Sequence, residues 1–334
     1  MKETFIYTLH AILPILLIIL LGYIVGRTGL FTKDFYKKLN KLCFRLFLPL
    51  QIFINVYDID DLKKMNWRVM GLLIAGIFIC LIIGIVSAKL FVPERSQRGV
   101  IVQASFRSNQ AVLGLPLANS LGGDAVLAFT SLATSLCVPL FNLLAVLVLS
   151  YYAGDEAEKP TAGTLAKRVF TNPLIVAALS ALALVLIRQV LPTSGGHPIF
   201  TIKYTLPSVY KTLVNLSKVA APVMLFVLGA LLDFRSFRSM LPQLSLGVLL
   251  RIVICPAIVI GAAVLLRAPL GITTAEMCTV ISVAATPVAL SSAVMVQEIG
   301  GDDQLAGQLV VMTSVLSMLT IFCFVYFLRY FAFL

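Results

Sequence analysis

Two stretches of this chain combine residue types suited to holding a charged solute. The first is Arg107-Ser108-Asn109-Gln110-Ala111-Val112-Leu113-Gly114-Leu115-Pro116-Leu117, where a cation, an amide, a glycine and a proline sit inside an apolar segment. The second is Ala284-Ala285-Thr286-Pro287-Val288-Ala289-Leu290-Ser291-Ser292-Ala293-Val294, again with a proline and hydroxyls at mid-depth. A helix in lipid satisfies its own backbone hydrogen bonds, so such residues are tolerated mainly where other protein or a water-filled cavity receives the freed groups. The chemistry this permits is anion binding. Pro116 suits the first turn of a new helix, where its missing N–H costs nothing, and Ser291 or Ser292 is placed to cap the corresponding half-helix of the second stretch. Two half-helix N-termini meeting near the midplane would each offer free N–H groups and a partial positive charge. The alternative is a plain proline kink packed against a neighbour, with Ser291 and Ser292 bonded back to their own helix carbonyls.

The distribution of charge sharpens this. All fifteen acidic residues lie at or near the expected span ends. Arg45, Arg107, Lys218 and Arg251 instead fall within apolar stretches, where a charge costs roughly 2.5–3.5 kcal/mol. Arg45, Lys218 and Arg251 lie close to a span end and are expected to snorkel to the interface; Arg107, two residues before Asn109, is expected to face the cavity. A cavity with cationic and amide character and no acid favours an anion such as a carboxylate over a metal cation or an amine. The expected substrate-binding set is Arg107, Asn109, Gly114, Pro116, Thr286, Pro287, Ser291 and Ser292, with no catalytic or metal-binding residue. Gln51, Asn55, Gln103 and Asn142 either line the cavity or join helices. His10 reads as an interfacial histidine and His197 as a loop residue. No Walker-type loop, metal-ligand helix or Ser-His-Asp set is present, and the spans lack the paired aspartates or Ser–His pair of an intramembrane protease. Neither an enzyme nor a cofactor is expected, and a coupling H+ or Na+ is left open.

The elements that position these residues are membrane helices. Of 334 residues, 60% are hydrophobic and 12% charged, against roughly 45–50% and 25% in soluble proteins. Ten spans are expected, near 4–26, 40–56, 69–91, 99–121, 125–151, 170–190, 212–232, 244–266, 277–298 and 304–328. The first is too long for a signal-peptide core and lacks a small-residue cleavage site. The net charge of +11 is dispersed between the apolar runs, which points to loops facing a cytoplasm and away from nucleic acid. The six cysteines, Cys43, Cys80, Cys137, Cys255, Cys278 and Cys323, read as small buried hydrophobes. With both termini outside the cell membrane, thirteen Lys and Arg near span ends fall inside and nine outside, a modest positive-inside bias. Two half-chains follow, 1–152 and 169–334, joined by a linker over 153–168. They share an ordered set of matches: Arg45…Pro49 with Lys218…Pro222, Ser120-Leu121-Gly122-Gly123-Asp124 with Glu298-Ile299-Gly300-Gly301-Asp302, and Thr134-Ser135 with Thr313-Ser314. Five spans per half, an odd number, require opposite insertion, the inverted-repeat arrangement of secondary transporters.

Asn109-x4-Gly114-x-Pro116, Pro287 with the small polar run after it, the early Leu21-Gly22-Tyr23 before a basic loop, and Asn172-Pro173 opening span 6 resemble the auxin efflux carrier family. That family contains the plant PIN proteins and bacterial members described as malonate or organic-acid permeases. The resemblance covers essentially the whole chain. It implies an all-α integral membrane protein of ten transmembrane helices in two inverted five-helix repeats, a two-helix scaffold and a transport part, and a crossing of broken helices 4 and 9 at the substrate site. It also implies that Asn109 holds a substrate carboxylate. The chain departs from plant members in having Ser292 where they carry a second crossover proline, in lacking clear equivalents of their supporting acids, Asn119 standing near one, and in its short mid-chain loop. The expected function is therefore secondary-active transport of a small organic anion, a mono- or dicarboxylate, across the cell (inner) membrane by alternating access. A passive anion channel or uniporter is the competing expectation. The lipid bilayer is the other expected partner, nucleic acid is not one, and a homodimer is left open.

Overall fold

The computed structural model describes residues 2–58, 66–154, 161–194, 197–198, 201–232 and 240–334. Lys63, Lys64, Lys159, Arg235 and Arg238 of the orientation argument lie outside them, as do the side chains of His10 and His197. Helices dominate. They are α1 (Lys2–Thr28), α2 (Lys33–Leu42), α3 (Leu48–Tyr57), α4 (Trp67–Phe91), α5 (Arg95–Phe106), α6 (Leu115–Tyr152), α7 (Ala162–Phe170) and α8 (Pro173–Val190), then α9 (Ile202–Thr205), α10 (Pro207–Leu231), α11 (Leu241–Leu249), α12 (Cys255–Leu265), α13 (Arg267–Leu270), α14 (Thr274–Ala284), α15 (Ser291–Ile299) and α16 (Asp303–Tyr330). A two-residue antiparallel pairing, Thr193↔Pro198 and Ser194↔His197, is the one strand contact among the described residues outside the site. Among the described residues seven helical runs are long and apolar enough to cross a bilayer, and Leu13–Thr28 and Thr274–Ala284 are shorter apolar helices. The chain is an all-α, multi-span membrane protein. One of the seven, Gln110–Tyr152 with 43 residues, would be about 65 Å long if straight, twice the ~30 Å hydrocarbon core. It turns at Gly122 (φ −164°, ψ 27°) and Gly123 (φ 64°, ψ −153°), where the left-handed φ of Gly123 favours glycine.

Local sequence explains where helices start and where they loosen. Asn172 caps α8 by accepting from Leu174 N–H, with Pro173 at the first helical position. Thr273 and Glu276 form a reciprocal capping box on α14, and Asp302 caps α16. Among the described residues three π-helical segments, Cys43–Phe47, Gln110–Gly114 and Leu250–Ile254, are each followed at the second position of the next helix by a proline: Pro49, Pro116 and Pro256. A proline inside a helix lacks the N–H that would bond four residues back, and its ring presses on that carbonyl. Widening the preceding turn relieves both effects, and single π turns of this kind recur at functional sites.

The helices fall into two groups. One contains α1, α3, α8 and α10, with α1 packed along α10 and α3 held between α8 and α10. The other contains α4, α5, α6, α11, α12, α14, α15 and α16. The scaffold-like group therefore has four members, not two. The α1–α10 contact needs glycine: a Cβ at Gly22 would clash with the Phe226 carbonyl oxygen and one at Gly229 with that of Ile19. In lipid, where there is no hydrophobic drive between helices, such small-residue contacts supply the packing. The segments expected as loops are more ordered than that reading: helix α7 occupies the end of the 153–168 linker, and α9 and the first turn of α10 occupy part of 191–211.

Candidate functional site

Two helices of the second group are broken in the middle. α5, with 12 residues, and α14, with 11, are each about half a bilayer long, and each ends in an extended link before the chain resumes as the π segment leading into α6 or as α15. The links pair across each other as an isolated antiparallel bridge between Ser108 and Val288. Asn109 N–H donates to the Pro287 carbonyl at 2.9 Å and Ala289 N–H to the Arg107 carbonyl at 3.1 Å. Val288 N–H is taken by Thr313 Oγ1 at 3.1 Å, a hydroxyl that itself donates back to Leu309. Backbone groups released by both breaks are thus received by protein, which is the condition for unwound chain at membrane depth. The break in the first stretch lies at Arg107–Asn109, upstream of Gly114 and Pro116. Gly114 instead allows the π segment to lie on α14, because a Cβ there would sit 2.8 Å from the Ser282 carbonyl oxygen.

At the crossing like poles meet like poles. The C-terminal ends of α5 and α14, whose last carbonyls carry a partial negative charge and have no acceptor-side partner within their own helices, come together, and so do the N-terminal ends that begin at Gln110 and Ser291. Two buried arginines occupy the two sides. Arg107, 2% exposed, donates from Nη2 to Asn142 Oδ1 at 2.6 Å and to Ser291 Oγ at 2.8 Å, with a longer 3.5 Å contact from Nη1 to Ser292 Oγ. Ser291 and Ser292 therefore do not cap α15, which has no side-chain cap, and they do not bond back to their own helix; their hydroxyls accept from Arg107. Arg251 is equally buried and donates to three carbonyls: Thr286 O at 2.9 Å, Ser105 O at 3.2 Å and Ala284 O at 2.6 Å. The expectation that Arg251 snorkels is corrected, because carbonyls inside the protein satisfy it. Arg45 and Lys218 are exposed on the protein surface.

A cavity of about 60 Å³ opens beside the crossing on the Arg107 side, between the two helix groups. That is several times the ~10–15 Å³ one water needs. Arg107, Asn109 and Ser291 line it together with Gln51, Asn55 and Asn142, and no carboxylate does. The Nδ2 of Asn109, 4% exposed, has no partner. The remaining expected site residues stand behind this wall. Thr286 is fully buried with its hydroxyl unpartnered and its carbonyl held by Arg251. Pro287 supplies the carbonyl of the bridge, Ser292 reaches Arg107, and Gly114 and Pro116 shape the start of α6. Gln51, Asn55 and Asn142, ambiguous in the sequence, line the cavity. Gln103 does not; it is buried elsewhere with both amide atoms unpaired. Arg251 is the residue that sequence reasoning missed, since nothing in its own surroundings along the chain announces three carbonyl acceptors from other helices.

The model of the membrane transport protein family known as Mem_trans matches residues 7–164 and again residues 155–325. The chain belongs to this family. It is the auxin efflux carrier family that the Asn109-to-Pro116 motif resembles, a family of transporters and not of enzymes. An uncharacterized transporter of Methanothermobacter thermautotrophicus is 25% identical over 330 residues, covering 95% of this chain and 97% of the relative. An uncharacterized transporter of Methanocaldococcus jannaschii is 20% identical over 254 residues, covering 75% and 77%.

Proposed function

We propose that this Mem_trans protein carries a small organic anion, a mono- or dicarboxylate, across the cell membrane by alternating access, with the anion bound at the crossing of the two broken helices. The observation that carries the reading is the setting of Arg107. A buried guanidinium touches the first two side chains of α15, the positive pole of a helix, and its hydrogen-bond partners are all neutral. Among the described residues no carboxylate pairs with it or lines the cavity. A unit negative charge about 4 Å away would contribute on the order of 4 kcal/mol at an effective dielectric near 20, and a carboxylate also supplies the acceptor that Asn109 Nδ2 lacks. Arg107 and Asn109 bind, the N–H groups at Gln110 and Ser291 orient, and the apolar wall of Leu48, Ile52 and Met224 excludes water.

The same reading takes the chain as ten spans in two inverted repeats, with the described breaks as helices 4 and 9 and both termini outside. Side-chain contacts at the two ends of the bundle support it. Tyr210 Oη donates to Asp58 at 2.8 Å, Asn66 bonds Glu276, and Arg267 reaches the Phe333 carbonyl at 3.1 Å; all these segments fall outside in that topology. Gln97 with Asp302, Arg168 with the Ser150 carbonyl and Gln304 with the Leu231 carbonyl join segments that fall inside. Solute counterflow in proteoliposomes tests the mechanism: saturable uptake of a labelled carboxylate, accelerated by unlabelled acid on the opposite side, is expected. Flux that grows linearly with voltage and shows no trans-acceleration would mark a channel instead.

A further inference from the structure

We infer that Arg251 is the positioning residue of the crossing, a fork that ties the C-terminal ends of both broken helices to a third helix and so fixes where Asn109 and Arg107 stand. α5 and α14 present their negative poles to each other, and two such ends repel unless a positive charge lies between them. The Arg251 guanidinium occupies that place. Its three hydrogen bonds go to Ser105 near the end of α5, to Ala284 at the end of α14 and to Thr286 in the link that follows. The planar fork suits acceptors spread over three directions, which a lysine's single ammonium cannot serve in the same way. The ~20 Å³ space on its remaining side is lined by apolar groups such as Leu73, Phe106 and Val259 and by the thiols of Cys80 and Cys255, which are weak acceptors beside a carbonyl.

Arg251 projects from the π segment Leu250–Ile254 that precedes Pro256, so an element of α11 and α12 sets the register of a bridge made by two other helices. The cations of α4, Arg68 and Lys89, lie exposed near its two ends, and this one side chain serves both breaks. Labour is divided by sign. The protein's own cation fills the negative side of the crossing, and the positive side, where Arg107 lies, is left to a solute. The carrier reading enters only in that last step; the tie itself, and its test, require no ligand.

Hydrogen exchange followed by mass spectrometry on the intact chain in lipid nanodiscs tests the tie, comparing wild type with Arg251→Gln and Arg251→Lys. Peptides covering residues 103–114 and 284–292 are expected to exchange at least roughly tenfold faster in Arg251→Gln, with peptides of α1 and α10 unchanged. Arg251→Lys keeps the charge but loses the fork, and is expected to fall between the two at the same peptides. If Arg251→Gln does not fold, Arg251→Lys decides alone. Wild-type exchange at the crossing in the Lys variant would overturn the fork, and a uniform rise that includes α1 and α10 would reduce Arg251 to general support of the fold.

Discussion

Replacing Gly114 by alanine is the smallest change that tests whether the crossing is held as tightly as described. The added Cβ would lie 2.8 Å from the Ser282 carbonyl oxygen and 3.1 Å from Gln110 Cγ, about half an ångström or more inside an ordinary carbon–oxygen contact of ~3.3–3.6 Å. The oxygen cannot retreat alone. It belongs to α14, which is fixed by its capping box and by the 3.0 Å contact between Thr279 and Thr130 of α6. Overpacking of this kind costs about 1–3 kcal/mol, and the intrinsic gain of alanine over glycine in a helix returns at most ~1 kcal/mol. Gly114→Ala is therefore expected to lower stability by about 1–2 kcal/mol and to reduce uptake, while Gly114→Leu abolishes uptake. Gly261→Ala in α12 is the matched control, since a Cβ there meets nothing within 4 Å, and it is expected to be neutral or mildly stabilising. Thermal unfolding in detergent, with uptake by proteoliposomes, reads both. A Gly114→Ala protein with a wild-type midpoint and wild-type uptake would refute the close approach of the π segment to α14.

Asn109→Ala removes a hydrogen bond to a charged group, about 1.5–3 kcal/mol, so carboxylate affinity should fall roughly ten- to a hundredfold by titration calorimetry; an unchanged Kd would remove Asn109 from the site. In a background without the six native cysteines, a cysteine at Lys37 should react only from the cytoplasmic side and one at Lys203 only from outside. Labelling of both from one side would contradict the inverted repeat. Gly229→Leu would drive a side chain into the Ile19 carbonyl and to within 2.9 Å of the Tyr23 nitrogen, and is expected to cut the yield of folded protein. A stable Gly229→Leu protein would mean that α1 and α10 are not locked together.

Much of the frame is legible in the sequence because its signals are local. The apolar runs, Asn172-Pro173, and the Gly-Gly-Asp sequences at Gly122-Gly123 and Gly300-Gly301 mark helix starts and ends that the structure contains; Gly123, Gly300 and Gly301 all take positive φ. The two broken stretches stand out for the same reason. What stayed hidden is nonlocal. Ser291 and Ser292 have the sequence character of caps, yet a guanidinium 184 and 185 residues away in the chain claims their hydroxyls. The distance of Arg251 from a span end suggests an interface residue, whereas its acceptors lie on α5, at the end of α14 and in the link that follows it. Pro116 points to a break, but its physical effect is the π turn before it, and the break is set a turn earlier by the pairing of Ser108 with Val288. Buried cations in a membrane protein are placed by carbonyls and poles of other helices, which no window of sequence displays.

A cavity built for negative charge should show it first at Arg107, the buried cation on its wall. Binding to the purified wild-type chain should be titrated for a panel of small mono- and dicarboxylates, each beside its amide isostere, and repeated with Arg107→Gln. At least one acid should bind in preference to its amide by roughly a hundredfold, about 2.7 kcal/mol, with that preference largely lost in Arg107→Gln while amide affinity is retained. Equal affinity for acids and amides in the wild type, or an acid preference that survives Arg107→Gln, would contradict that reading of the cavity.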